Sequence, residues 1–328
     1  MEYIVALLPV IAFLLILIYL DSFKLIKKNL LVYSIIWGIC AAILAYFINN
    51  MVVSIADLHN RAFSRYVSPT VEETLKSLFL IFLVMKGKIG FRIDGAIYGF
   101  AIGAGFALYE NIFFLHEIPT DNMWLWIIRG FGTAIMHGGV TSILGVLLMH
   151  AREKQKGILK YLALGWLLAV FIHSLFNHFF LSPLASMFLI LIIISSMEIV
   201  LFRINEGLLR EWLELEFDTE VKLLGMIRKG VFLQSNSGKY LISIRDKFSK
   251  LVVFDMLAYI SLYLELSIRA KSNLMLNEAG LPVKKDIAVN SKLEELKSLE
   301  KNIGKTGLLA ISPILRISKK NLIKWSLL

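Results

Sequence analysis

The sequence predicts an all-α, polytopic membrane fold: a bundle of about seven transmembrane helices followed by a helical domain. Three observations carry that expectation. Of 328 residues, 57% are hydrophobic, and the mean hydropathy is +0.71, more apolar than soluble domains of this length. The apolar residues gather in runs near the roughly 20 residues a helix needs to cross hydrocarbon. These runs stop near Arg203, beyond which charges return every few positions. The expected division is therefore a transmembrane bundle over 1–203 and a cytoplasmic helical domain over 204–328.

Candidate spans fall at 3–20, 30–48, 69–85, 94–115, 123–149, 159–181 and 183–202. The first has no basic segment before it and no small-residue cleavage site after it, and is expected to be retained. Basic residues cluster after spans one (Lys24, Lys27, Lys28), three (Lys86, Lys88, Arg92) and five (Arg152, Lys154, Lys156, Lys160). The opposite loops carry Arg61 and Arg65 in the first, only His116, Glu117 and Asp121 in the second, and the short Ser182-Pro183 link. Cytoplasmic loops are enriched in Lys and Arg, so the N-terminus is expected outside and the C-terminal domain inside. The same rule explains the net charge of +10 without nucleic acid. The 49–68 loop is long enough for a short interfacial helix and is assigned no chemistry. Cys40, the single cysteine, offers neither a disulfide framework nor a Cys-based metal site.

Ionisable groups inside hydrocarbon are costly and mark function by default. Span three opens Val71-Glu72-Glu73-Thr74-Leu75-Lys76 behind Pro69, a residue suited to a first helical turn. Lys76 lies four residues from Glu72 and three from Glu73, within reach of either. Paired carboxylates beside a lysine suit acid/base chemistry; an interfacial salt bridge is the plainer reading. Span four carries Glu110 behind Gly99, Ala101, Gly103, Ala104 and Gly105, a stripe that permits close helix approach. Span five places Arg129 shallow and His137 deeper, followed by Gly138 and Gly139. Span six presents His173 and Asn177 on one face. His116, His150 and His178 read as packing residues. Glu72, Glu73, Glu110, His173 and Asn177 fall in the outer third of the bilayer, with His137 somewhat deeper, so one shared polar site is expected.

Such a site suits hydrolysis, which requires an activated water, a group that polarises the carbonyl and oxyanion donors. Glu72 or Glu73 serves as base, with Lys76 beside them. His137 and His173 with Glu110 form a candidate Zn²⁺ set; without metal, the histidines and Asn177 become oxyanion donors. H-E-x-x-H, G-x-G-D and G-x-S-G patterns are missing. Gly304-Lys305-Thr306 is not a phosphate loop, because Leu299 stands where its first glycine belongs. The competing classes are an ion-coupled transporter that relays protons through the same groups and a non-enzymatic membrane sensor.

The ordered set Glu72-Glu73-x-x-Lys76, Phe106-x-x-x-Glu110, His137 and His173-x-x-x-Asn177 resembles the PrsW family of intramembrane proteases, which is related to the CAAX prenyl endopeptidases. The resemblance covers about 65–180. It implies Glu72 as the water-activating base, and Glu110, His137, His173 and Asn177 as metal or oxyanion positions. Glu110 stands where the prenyl endopeptidases have histidine, which argues against prenylated substrates. The substrate class implied is a membrane-anchored protein such as an anti-sigma factor, cut within the lipid bilayer near its extracytoplasmic side.

Helical spacing continues over Leu208–Arg228 and Phe248–Leu276, the latter closed by Gly280. The apolar stretch 251–268 is interrupted by Asp255 and Glu265 and is expected as a helix buried in the cytoplasmic domain. The 291–301 stretch reads as a solvated face, and 311–328, basic and apolar together, suits membrane-surface docking. A regulatory or scaffolding role is expected for this half.

Overall fold

The structure, a computed structural model, describes residues 1–21, 26–56, 60–118, 120, 122–154, 157–178, 180–283 and 288–315. Lys24, Asp121, Lys156 and the 316–328 part of the basic apolar tail lie outside the described residues. The described residues are helical, in two compact units, Met1–Asn205 and Glu206–Leu328.

The first unit contains α1 (Glu2–Tyr19), α2 (Lys28–Ala56), α3 (Ser68–Met85), α4 (Arg92–Glu117), α5 (Met123–Glu153) and α6 (Ile158–Asn177). The next helix, α7 (Pro183–Arg228), begins in it. Seven described helices are long and apolar enough to cross a membrane. Six of them match the expected spans. The seventh is α9 (Lys250–Glu278) rather than α3, because Glu72, Glu73 and Lys76 lower the hydropathy of α3. Those charges point inward: all three are buried. The other end of α3 is apolar, and Leu80, Leu83 and Val84 pack with Tyr98, Ile102 and Leu148.

Local chemistry sets the helix boundaries. Pro69 sits in the first turn of α3. At the start of α4, Asp94 Oδ2 accepts from the amides of Gly90 (2.8 Å) and Phe91 (3.0 Å), satisfying donors that a helix start leaves open. The α3–α4 turn is closed from α5, where Arg152 donates to the carbonyls of Val84 (2.9 Å) and Ile89 (3.0 Å). Arg152 is thus a structural clamp as well as one of the basic residues that signal topology.

α4 is the central helix, buried continuously from Ile93 to Ala107. Its small residues permit direct backbone contact with neighbours. A Cβ on Gly103 would lie 2.1 Å from the His137 carbonyl oxygen, and one on Gly105 2.1 Å from that of Ile35. Only hydrogen fits there, so α5 and α2 pack against opposite sides of α4. Two π-helical segments, Phe63–Val67 and Arg129–Thr133, precede the polar stretches of α3 and α5; such wide turns are frequent at functional sites.

In the second unit, α8 (Asn236–Ile244), α9 and α10 (Ala288–Leu315) bury Met256, Tyr259, Ile260, Tyr263, Leu296 and Ile303 in one core. Lys271, fully buried, pairs with Glu216 (3.1 Å) and Glu220 (3.0 Å). The triplet read against nucleotide binding lies at a kink in α10, where Gly304 has φ +70°.

Candidate active site

Four helices deliver the polar cluster. Glu72, Glu73 and Lys76 come from α3, Glu110 from α4, His137 from α5 and His173 from α6; all but Glu110 are buried. Successive residues on a helix point about 100° apart, so Glu72 and Glu73 enter different surroundings.

Glu73 faces the cluster interior. Its Oε1 accepts from Lys76 Nζ (2.6 Å) and His173 Nδ1 (2.7 Å). An ionised carboxylate only accepts, so His173 donates from Nδ1 and turns Nε2 toward Glu72. Lys76 also donates to His137 Nδ1 (3.0 Å). His137 therefore carries its proton on Nε2 and donates to Glu110 Oε2 at 3.1 Å. The two imidazoles meet edge to face at 4.8 Å, and Lys76 lies 4.9 Å from the centre of the Phe106 ring.

Glu110 is held by Arg129, whose Nη2 is 3.3 Å from Oε2. The guanidinium donates from Nε to Asn111 Oδ1 (3.0 Å) and stacks 4.0 Å from the Phe114 ring. Asn111 in turn donates to the Ala6 carbonyl of α1 (2.8 Å). Sequence reasoning placed Arg129 near the site but assigned it no role; its spacing of nineteen residues from Glu110 on another helix carries no signal of contact.

Glu72 stands differently. Its Oε1 accepts from the Ser68 hydroxyl at 2.5 Å, a bond Ser68 can make because it lies one turn earlier on the same helix. Its Oε2 is buried without a hydrogen-bond partner among the described residues, 3.9 Å from His173 Nε2. Glu73 has Lys76 and Glu110 has Arg129; Glu72 has no Lys or Arg within ion-pair distance among the described residues. Glu72 and Glu110 both line an open cleft of about 180 Å³, walled by Ala42, Ala45, Phe106 and Phe113.

Two of the expected site residues meet partners other than those expected of them. Glu110 was the expected third metal ligand, yet the ligand atoms within 4.8 Å of one another belong to Glu72, His137 and His173. Glu110 is drawn away by Arg129. Asn177 was an expected oxyanion donor; instead its Nδ2 donates to the Ser64 carbonyl at 3.0 Å, beside the Ser174 hydroxyl on the Arg65 carbonyl at 2.5 Å. Both carbonyls lie in the Phe63–Val67 π segment, where a wide turn weakens the helical ladder, so Asn177 fastens α6 to the entry of α3. Asn49 and Ser68, at the ends of the stretch expected as a loop without chemistry, lie in α2 and α3 and adjoin the site. The only sequence signal for Ser68 was its position four residues before Glu72.

The donor set fits a divalent metal at two of its three members. Glu72 Oε2 is an orphaned buried acceptor and His173 Nε2 is backed by a carboxylate on Nδ1, the usual support of a metal ligand, whereas His137 has both nitrogens engaged by Lys76 and Glu110.

Buried carboxylates and histidines inside a helical bundle of this apolarity define a polytopic membrane protein with an intramembrane polar site. The sequence model for the PrsW family of intramembrane metalloproteases matches residues 27–202, over half of the chain, and the protein belongs to that family of intramembrane proteases. No curated protein gives a significant match. No solved structure does either.

Proposed function

We propose that the protein is an intramembrane endopeptidase in which Glu72 activates the attacking water. The observation that carries this reading is Glu72 Oε2, buried and without a hydrogen-bond partner among the described residues, 3.9 Å from His173 Nε2. That spacing is a setting for a bridging water or for a cation.

Glu72 Oε2 takes a proton from water as its oxygen attacks the scissile carbonyl carbon. The tetrahedral species collapses with cleavage of the C–N bond, and the proton held on Glu72 passes to the leaving amine. Glu73 and Lys76 hold His173 and His137 in fixed tautomers; Arg129 holds Glu110. His137 Nε2–H, which in the resting site is given to Glu110, is the cluster's candidate donor to a developing oxyanion. Glu72 Oε2 and His173 Nε2 would hold a Zn²⁺ ion, with His137 joining them only by giving up Lys76 or Glu110; Glu72 would then be a ligand rather than the free base, and the ion would polarise the carbonyl and make water more acidic.

The substrate is a membrane-anchored protein, of the anti-sigma-factor kind, seated in the cleft lined by Glu72 and Glu110. The basic residues after α1, α3 and α5 support an outside N-terminus, a C-terminal helical domain in the cytoplasm and cutting near the extracytoplasmic side. Residues 1–203 form the catalytic bundle and 204–328 the cytoplasmic domain.

The test is incubation of the purified full-length protein in nanodiscs with a panel of single-span membrane proteins, products being read by mass spectrometry. Wild type should cut at least one, Glu72→Gln and His173→Ala none. Cleavage by Glu72→Gln at the wild-type rate overturns the assignment of the base. A wild type that cuts nothing overturns the protease reading.

A further inference from the structure

We infer that Asn49 and Ser68 are positioning residues that reserve one oxygen of Glu72 for the reaction. The inference rests on Glu72 being the base.

Asn49 Nδ2 lies 3.0 Å from Ser68 Oγ, and Ser68 Oγ lies 2.5 Å from Glu72 Oε1. A hydroxyl has one proton. Because Ser68 accepts from the Asn49 amide, that proton is committed to Glu72, and the chain Asn49 → Ser68 → Glu72 has one direction. The opposite placement of the Asn49 amide is disfavoured. Its oxygen would then draw the Ser68 proton and leave both oxygens of a buried carboxylate without a donor, a costly state at low dielectric. The observed orientation leaves Asn49 Oδ1 buried and unpartnered, so it is the amide donor that this position contributes.

The consequence falls on Glu72. Oε1 is occupied by the Ser68 hydrogen bond, and Oε2, 3.9 Å from His173 Nε2, is the oxygen left open to the reaction. Asn49 belongs to α2 and Ser68 to the first turn of α3, so the pair also sets the Glu72 rotamer from a second helix. Both residues line the same cleft as Glu72, and a substrate seated there lies against the relay.

Three variants of the full-length protein in nanodiscs separate relay from packing, with kcat and KM measured on a substrate cut by wild type. Asn49→Asp keeps the shape and replaces the donor by an acceptor. Ser68→Ala removes the proton, and Ser68→Thr keeps it. The expected result is a kcat lowered about tenfold or more in Asn49→Asp and Ser68→Ala, a KM within about twofold, and Ser68→Thr close to wild type. If Asn49→Asp melts below the assay temperature, the Ser68 pair decides alone. A kcat within about twofold of wild type in Ser68→Ala, with Glu72→Gln inactive, overturns the relay and leaves the base assignment standing. Active Glu72→Gln overturns both.

Discussion

His173 donates its Nδ1 proton to Glu73 Oε1 across 2.7 Å, from α6 to α3. The same oxygen receives Lys76 at 2.6 Å, so one carboxylate fixes an imidazole tautomer and neutralises a fully buried ammonium. Glu73 holds the site together, while its neighbour Glu72 keeps one buried oxygen without a hydrogen-bond partner among the described residues.

That division predicts a stability effect at Glu73. Removing one partner of a buried pair leaves an uncompensated charge and costs about 3–5 kcal/mol. Glu73→Gln and Lys76→Met should each lower the melting temperature strongly in detergent. The double variant should recover much of that loss while staying inactive. A double variant no more stable than either single one would show that the pair is not the source of the effect.

Metal content discriminates the two candidate third ligands. Purified protein loaded with Zn²⁺ and desalted should retain about one ion per chain by elemental analysis, as a single catalytic site holds. Glu72→Gln and His173→Ala should lose it, and Glu110→Gln should keep it because Arg129 and His137 occupy that carboxylate. Activity should fall with a chelator and return with zinc. Loss of zinc in Glu110→Gln alone would restore Glu110 as the ligand.

Asn177 offers a kinetic contrast. Removing an oxyanion donor typically costs about 10²–10³ in kcat. A residue that fastens α6 to the Phe63–Val67 turn should instead cost stability, about 1 kcal/mol for one hydrogen bond, with kcat lowered less than about tenfold. Asn177→Ala measured by thermal melting and steady-state cleavage decides between them; a hundredfold kcat loss at unchanged stability would reinstate the oxyanion role.

Close packing predicts a steric penalty at Gly103. Gly103→Ala puts a methyl 2.1 Å from the His137 carbonyl oxygen, so α4 and α5 must separate, at about 1–3 kcal/mol, and His137 moves with them. Both stability and activity should fall. Gly207→Ala, in a helix and with nothing within 4 Å of the new methyl, should be neutral or up to about 1 kcal/mol stabilising. Equal losses in the two variants would rule out the contact as the cause.

In the second unit, Lys271 predicts its own effect. Lys271→Met leaves Glu216 and Glu220 (3.1 and 3.0 Å from Nζ) without their shared cation, and the unit should lose about 3–5 kcal/mol. Hydrogen exchange at α9 and α10 reads that loss directly; unchanged protection there would refute it.

The linear chain by itself determined the architecture and the cast of the site. Apolar runs of spanning length made six of the membrane-competent helices legible, because hydrocarbon leaves backbone groups no partners outside the helix. Charges too costly to leave facing lipid singled out Glu72, Glu73, Lys76, Glu110, His137 and His173. The glycines of α4 announced close packing, though not against which carbonyl. What only the tertiary structure decided was who meets whom. Helical spacing lets Lys76 reach either glutamate, and the choice of Glu73 came from His173 on a helix a hundred residues away. Glu110 meets Arg129 on the next helix, and Asn177 meets a backbone carbonyl in a π turn that no local pattern signals. Asn49 and Ser68 entered from the ends of a stretch expected as a loop without chemistry. Periodicity fixes which way a side chain points from its own helix; its partners depend on how the helices are set against one another, and that is decided by contacts between residues far apart in sequence.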